Sequence, residues 1–473
     1  MPEVDLRKLV ESTLKDIISL YENFSFYEAE ALVSQKITVA AKRIHKRALE
    51  YVVRQRSMRR TVNAIGAQNG YHRSELTPKT ITLKGGIAIR IPSYYALSVK
   101  EKMGPKRTGA NGRGKHLLLN QWGFLDTWSP GHWEEVARAG LGSVSYDAAE
   151  RQLKSQGMSM SGTKIAHVIR EVAAAALKDG PATGMALALR DTDTFAGKRI
   201  CITIDGGRIQ QRIWKKGMAP KKGGRGFYTS WIEPKLLCIY ELDQYGEKAK
   251  GSDPLYYATL AGQEQLYSVL TALAEQLHLA EALEIACIAD GAPWIYARFT
   301  QLAQELKIQE KTTIIADYYH GVEHLAKIVD VDTGKSDKER HEQIDLWAGY
   351  LKEGKIDLLA QLVTREAKRT NRPKMLEEFH YFEERKERMR YDQYLAKHLP
   401  IGSGSVESAV KQVINQRIKA AGSFWLKDNA EHFLFLRCIF MSNRWQPFVG
   451  NLIVKIRLPL CNRIDPMGVT HSR

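Results

Sequence analysis

The sequence predicts an α/β protein whose core, interrupted by a helical insertion, is preceded by a mainly helical N-terminal region carrying a β-ribbon and a helix-turn-helix. Three observations lead there. Residues 4–59 place apolar side chains at helical spacing, residues 198–317 carry short apolar runs separated by turns and helical stretches, and residues 321–398 return to a helical period with dense charge.

In the N-terminal region Leu6, Leu9, Val10, Leu14, Ile17 and Ile18, then Ala29, Ala31 and Leu32, then Ile44, Ala48 and Val52 predict two or three helices that end in the basic stretch 54–60. Residues 79–95 alternate apolar and polar on either side of Gly85-Gly86, a two-residue hairpin signal. Residues 100–115 are rich in Gly, Lys and Arg without any hydrophobic period and read as a linker. Ser145-Tyr-Asp-Ala-Ala-Glu-Arg-Gln-Leu runs into Gly157, and Ser159-Met-Ser161-Gly-Thr163-Lys164 opens a second helix. A short turn between two helices suits a DNA-reading motif, with Ser161, Thr163 and Lys164 meeting phosphates and base edges, and it equally suits a helical hairpin capped by serines.

The pattern becomes α/β at residue 198. Arg199-Ile-Cys-Ile-Thr-Ile-Asp205 is a buried-strand run ending in an acid before Gly206-Gly207. Residues 208–232 come next, with Arg208, Arg212, Lys215, Lys216, Lys221, Lys222 and Arg225 but no Asp or Glu, and read as a basic hairpin tip that could neutralise phosphates. Residues 231–242 and 254–260 are strand-like and residues 264–279 helical. Leu283-Glu-Ile-Ala-Cys-Ile-Ala-Asp290-Gly291 repeats the strand, Asp, Gly form before a helix that starts with Pro293. Thr312-Thr-Ile-Ile-Ala-Asp317-Tyr-Tyr-His320 is another strand ending in Asp. After the helical insertion, Gly402-Ser-Gly-Ser-Val-Glu407-Ser opens a helix that carries Arg417 and Lys419 downstream.

Two hard divalent cations need carboxylate oxygens from separate elements that converge at one edge. Asp205 and Asp290 at strand ends and Glu407 in a first helical turn meet that need. Each alone reads as readily as a turn or cap residue, and Asp317 competes with Asp290. Asp317 and His320 suit either an accessory pair shaping the site or a structural pair closing the strand. His324, one turn beyond His320, suits a ligand or a packed role, and Trp425 suits core packing or base stacking.

The formal net charge of +17 and pI near 9.4 point to a polyanionic partner, nucleic acid ahead of an anionic membrane, with a merely basic soluble surface as the alternative. No apolar run reaches the roughly 18 residues of a membrane span, and residues 1–20 do not read as a secretory signal. A cytoplasmic protein, nucleoid-associated in a bacterial host, is the expectation. Cys201, Cys238, Cys287, Cys438 and Cys461 are widely spaced, as reduced core thiols are.

The ordered set Ile-Asp205-Gly-Gly, Ile-Ala-Asp290-Gly-Ala-Pro-Trp, Ala-Asp317-Tyr-Tyr-His320-Gly-Val-Glu-His324-Leu and Gly402-Ser-Gly-Ser-Val-Glu407-Ser, with Arg417, Lys419 and Trp425 downstream, resembles the DDE transposases of insertion sequences. It is most similar to the Kra-type bacterial group and more distantly to Mutator-like transposases, over residues 198–443. The N-terminal part departs from that pattern, because no cysteine pair follows Tyr94-Tyr95. The resemblance implies a ribonuclease-H-like core of three antiparallel strands followed by two parallel ones, with Asp290 after the fourth strand and Asp317 after the fifth. It implies that Asp205, Asp290 and Glu407 are catalytic and hold two Mg2+ or Mn2+ ions. The implied partners are double-stranded DNA, both terminal inverted repeats and target, and a second copy of the chain or more in a synaptic complex. The expected organisation is an N-terminal helical region at 1–75, ribbon and linker at 76–120, helix-turn-helix domain at 121–190, catalytic domain at 191–443 with its insertion at 321–398, and a tail at 444–473. A nuclease of the same fold that does not join strands and a domesticated DNA-binding protein are the rivals.

Overall fold

The computed structural model describes residues 2–99, 114–215, 226–420 and 422–458. The chain is α/β and divides into two compact units, Met1–Ala175 with Val449–Arg473, and Ala176–Phe448. Among the described residues no helix is long and apolar enough to cross a membrane.

The first unit begins with helices Pro2–Asn23, Phe26–Arg54 and Arg56–Gln68. Ser25 and Glu28 form a capping box at the start of the second. The third runs past the basic stretch expected to end it. Val62 and Ile65 continue the apolar spacing and are buried, while Arg59 and Arg60 stay exposed, so the charges lie on the solvated face. Strands β1 (Glu75–Leu83) and β2 (Ile87–Leu97) pair antiparallel around Gly85 and Gly86, as the alternation predicts. A short β3 (Gly114–His116) joins β2 at the end of the stretch read as linker, whose residues 100–113 lie outside the described ones. Ile81, Ile89 and Ile91 of this sheet cluster with Leu119 and Phe124. Helix Tyr146–Ser155, capped by the Ser145 hydroxyl, turns through Gly157 into helix Gly162–Leu177, and the Gly162 N–H donates to Glu150 Oε2 across the turn (2.8 Å).

The second unit is built on a mixed five-stranded sheet of β4 (Arg199–Gly206), β7 (Lys235–Leu242), β8 (Leu255–Thr259), β9 (Glu284–Ala289) and β10 (Thr312–Ala316). Its spatial order is β10-β9-β4-β7-β8; β7 lies antiparallel between β4 and β8, and β9 and β10 run parallel to β4. Residues 200–204 of the central β4 are all buried, which is why that run reads as continuous rather than alternating. Each of its isoleucines contributes roughly 1.5 to 3 kcal/mol by burial, so β4 gives Asp205 a rigid base.

Between β4 and β7 a separate hairpin forms from β5 (Ile209–Trp214) and β6 (Phe227–Ile232). Residues 231–242, expected as one strand, therefore divide at Glu233-Pro234. Pro234 has no N–H to give a ladder, and its carbonyl instead accepts the Gly207 N–H (2.9 Å). Helices Gln263–Gln276 on β7 and β8, Pro293–Glu305 on β9 and β10, and Lys427–Met441 on β8 cover the sheet. The insertion is helical, with helices Tyr318–Asp330, Asp337–Lys352, Ile356–Thr370, Lys374–Arg385 and Tyr391–Ala396 burying Leu325, Leu351, Leu359 and Phe382. Cys201, Cys238, Cys287 and Cys438 are buried free thiols, and Cys461 lies outside the described residues.

Candidate acidic site at the sheet edge

Three aspartates stand side by side at the carboxyl ends of β4, β9 and β10. The last parallel rungs pair Ile204 with Ala289 and Ala289 with Ala316, so Asp205, Asp290 and Asp317 occupy adjacent positions roughly 5 Å apart. Their environments then separate them.

Asp317 is 1% exposed and its carboxylate is saturated. Oδ1 accepts the Tyr319 and His320 N–H groups at the start of helix Tyr318–Asp330 (2.7 and 3.2 Å). Oδ2 accepts both the N–H (2.8 Å) and the hydroxyl of Ser403. Tyr318 N–H donates to the Ile401 carbonyl (2.9 Å), and Gly402 lies against the Tyr319 ring, where a Cβ would stand 2.5 Å from it. Asp317 thus ties the end of β10 to the segment that launches Glu407. Its partner in His320 is the backbone, not the ring. The His320 imidazole faces Glu323 (3.2 Å) and His324, and His324 stacks on Tyr381 with ring centroids 3.7 Å apart. Burial is the main reason the His324 pKa falls to about 4, and the charges of Lys327, His320 and Arg385 lower it further.

Asp290 is half-buried, with Oδ1 accepting the Ala292 N–H (3.4 Å). Its turn is held from the insertion: Tyr381 Oη donates to the Asp290 carbonyl (3.2 Å) and Arg385 Nη2 to the Gly291 carbonyl (2.9 Å), with the Arg385 guanidinium over the Tyr381 ring. Gly291 has φ +119°, and a Cβ there would meet both side chains. Arg385 falls in the densely charged stretch of residues 321–398, yet its side chain is only 12% exposed.

Glu407 is exposed in helix Gly404–Ala409, which packs on β4 and β7 and passes into a π-helical turn, Val410–Asn415. Turns of this kind occur often at functional sites. Asp205 feels the convergence. Burial first, then the negative fields of Asp290, Glu407 and Glu233, push its pKa from 3.8 to about 6, against the lowering effect of the Gly206 N–H bonded to Oδ1 (2.6 Å). Glu233 has no counterpart among the residues the sequence singles out. It leaves the hairpin at the Pro234 bend and lies against Gly206, with Lys235 Nζ 3.3 Å from its Oε1.

Among the described residues no three His, Cys, Asp or Glu side chains stand close enough together to form a ready-made metal ligand set. Asp205, Asp290 and Glu407 are therefore coupled through their fields without forming a closed cage. The donor chemistry suits a hard cation, because these are carboxylate oxygens from separate elements, and burial together with the neighbours' charge makes Asp205 costly to ionise without a counter-ion.

The expected DNA contacts fall into three groups. Arg208, Lys215, Thr163, Lys164 and Lys419 are exposed, Arg212 is half-buried, and Ser161 is exposed with its hydroxyl accepting the Lys164 N–H (3.4 Å). Lys216, Lys221, Lys222 and Arg225 lie outside the described residues. Arg417 is a correction, because it is 3% exposed with its guanidinium over the rings of Trp425 and Phe433 and does not face solvent phosphate. Trp425 is itself buried and donates its indole N–H to the Ile418 carbonyl (3.1 Å), a packing role. In comparisons with protein-family models, curated proteins and solved structures, nothing matches this chain.

Proposed function

We propose that this chain is a DNA transposase of the DDE type that cleaves DNA at transposon ends and transfers the strands into target DNA, using a ribonuclease-H-like core. The observation that carries the reading is that the sheet register brings Asp205 and Asp290 to neighbouring strand ends while Glu407 stands on a short helix packed on β4 and β7, three acids far apart in sequence drawn to one sheet edge. The strand order supports it: three antiparallel strands in sequence, β4, β7 and β8, followed by β9 and β10 parallel to the first, is the order a ribonuclease-H-like core requires. The saturation of Asp317 also favours Asp290 as the second acid, because a carboxylate with all its partners inside the fold has little left to offer a ligand.

Asp205, Asp290 and Glu407 would hold two Mg2+ or Mn2+ ions. Such ions supply a water activated near neutral pH and a counter-charge for the phosphodiester oxygens. The chain's own residues set the geometry: β4 fixes Asp205, Tyr381 and Arg385 hold the Asp290 turn, and Asp317 anchors the approach to Glu407. Arg208, Arg212, Lys215 and Lys419 would pair with phosphates. Ser161, Thr163 and Lys164, opening the second helix of the helix-turn-helix, would contact the terminal repeats. The active assembly on this reading is a dimer or larger synaptic complex.

The test uses the purified full chain, Mg2+ or Mn2+, and duplexes carrying the inverted repeats that flank its gene. Asp205→Ala, Asp290→Ala and Glu407→Ala should each give no cleaved or joined product while duplex binding persists. Full cleavage by Asp290→Ala would sink the assignment. Cleavage without joined product would leave a nuclease, and binding without cleavage a DNA-binding protein.

A further inference from the structure

The β5–β6 hairpin stands apart from the five-stranded sheet, and a two-stranded ribbon alone is marginally stable in water. It nonetheless exposes three large aromatic side chains, Trp214 (38%), Tyr228 (62%) and Trp231 (52%). The pairing register puts Trp214, Phe227 and Trp231 on one face with Arg208 and Arg212, and Tyr228 on the other with Lys215. Each ring has a cation over it: Arg208 lies 5.7 Å from the Trp231 centroid, Arg212 5.4 Å from Trp214 and 4.4 Å from Phe227, and Lys215 5.0 Å from Tyr228. Trp214 and Trp231 are spaced roughly 13 Å along the ribbon.

Residues 424 and 425 hold the ribbon in place. The backbone N–H of Trp425 donates to the Gln210 carbonyl (3.0 Å), the Arg212 N–H donates to the Trp425 carbonyl (2.7 Å), and Phe424 packs on Phe227 with centroids 5.5 Å apart. The first strand of the hairpin starts at Ile209, soon after Asp205, and its second ends at Ile232, just before Glu233, so it rises from the acidic edge.

We infer that the β5–β6 hairpin is a stacking platform for unpaired nucleotides, with Trp231, Trp214 and Tyr228 meeting base faces and Arg208, Arg212 and Lys215 meeting the phosphates beside them. This rests on the proposed nucleic-acid function and adds the state of the strand. Paired duplex DNA offers phosphates but keeps its base faces stacked inside, which would leave the rings idle. A second copy of the chain would have to bring the same cations against themselves, and no acid in residues 208–232 could answer them. Unpaired nucleotides satisfy both the π-faces and the charges, as on other single-strand platforms.

The test measures binding of the full chain to a blunt duplex and to the same duplex carrying a single-stranded extension, at one salt concentration. Wild type should prefer the extended probe. Trp231→Ala and Tyr228→Ala should each cut affinity for it on the order of tenfold, the loss of one stacked base, and leave blunt-duplex binding unchanged. Trp231→Phe should recover most of the loss, which a general disturbance of the fold would not allow. The inference is overturned if the extension brings no gain, if the alanine variants bind it as wild type does, or if they alter sedimentation and so assign the face to a second copy. Blunt-duplex binding with no gain from the extension refutes the platform alone, whereas binding to neither probe refutes the nucleic-acid reading with it.

Discussion

Replacing Asp205 by Asn should make the protein more stable at neutral pH and leave it unchanged in acid. The carboxyl ordinarily ionises near 3.8 and is pushed to about 6 in the folded chain, first by burial and then by the neighbouring carboxylates. At about 1.4 kcal/mol for each tenfold change, that shift is worth about 3 kcal/mol. Below pH 3.8 the group is protonated in both states and costs nothing. Between 3.8 and about 6 the unfolded chain releases the proton while the folded chain keeps it, so stability falls as pH rises. Above about 6 the full penalty applies. Asn keeps an oxygen to accept the Gly206 N–H and never ionises. The assay is urea unfolding of wild type and Asp205→Asn at about pH 4, 6 and 8, values that bracket the shift. The gain should grow across that series towards about 3 kcal/mol. A gain of the same size at both ends of the series would show that packing, not charge, is responsible, and no gain at the alkaline end would remove the electrostatic argument for a converged acid site. Added Mg2+ should stabilise wild type more than the variant at the alkaline end if the carboxylate takes part in holding the ion.

Two further substitutions separate anchoring from chemistry. Asp317→Ala removes an acceptor that serves four donors, two of them N–H groups in the first turn of the helix it caps, and should cost on the order of 3 kcal/mol in urea unfolding; a loss below about 1 kcal/mol would contradict the anchoring role. Tyr381→Phe deletes one hydrogen bond to the Asp290 carbonyl, about 1 kcal/mol, and should lower cleavage while duplex binding holds. Unchanged cleavage in that variant would show that the Asp290 turn needs no support from the insertion.

The site is legible in the sequence wherever its signal is local. The ends of β4, β9 and β10 can be read because an apolar run closing on Asp is a one-dimensional pattern, and burial of those runs fixes where the acids emerge. Glu233 leaves no such trace. It follows a basic segment, and its approach to Gly206 comes from the bend at Pro234, a tertiary event. Arg417 eludes the sequence for a related reason. It reads as solvated only if the helix opened by residues 402–408 continues through it, whereas that helix passes into the π-turn Val410–Asn415 and ends there, leaving Arg417 in the turn beyond with its guanidinium over Trp425 and Phe433. Arg385 shows the same limit. In sequence it belongs to a charged run, while in the fold it crosses to the Gly291 carbonyl of another element. No local motif separates Asp290 from Asp317, since both end strands; the difference lies in Ser403, which saturates only one of them.

The charge arrangement at this edge works against folding from two sides. Burial and the fields of Asp290, Glu407 and Glu233 hold the Asp205 carboxyl partly protonated near pH 6, and beside it the hairpin gathers cations with no acid of its own. The two sets do not neutralise each other, since of the described hairpin cations Arg208, Arg212 and Lys215 each lie over an aromatic ring. A fold selected only for stability would interleave such charges. On the proposed reading a phosphodiester strand resolves both sides at once, its phosphates meeting the cations, while Asp205, Asp290 and Glu407 would hold divalent ions that supply the counter-charge the carboxylates lack. Salt should then weaken strand binding steeply, whereas Asp205→Asn should strengthen binding without metal by removing a negative neighbour. Metal-free binding by Asp205→Asn no stronger than that of wild type would place the strand away from the acidic edge and break the link between hairpin and site.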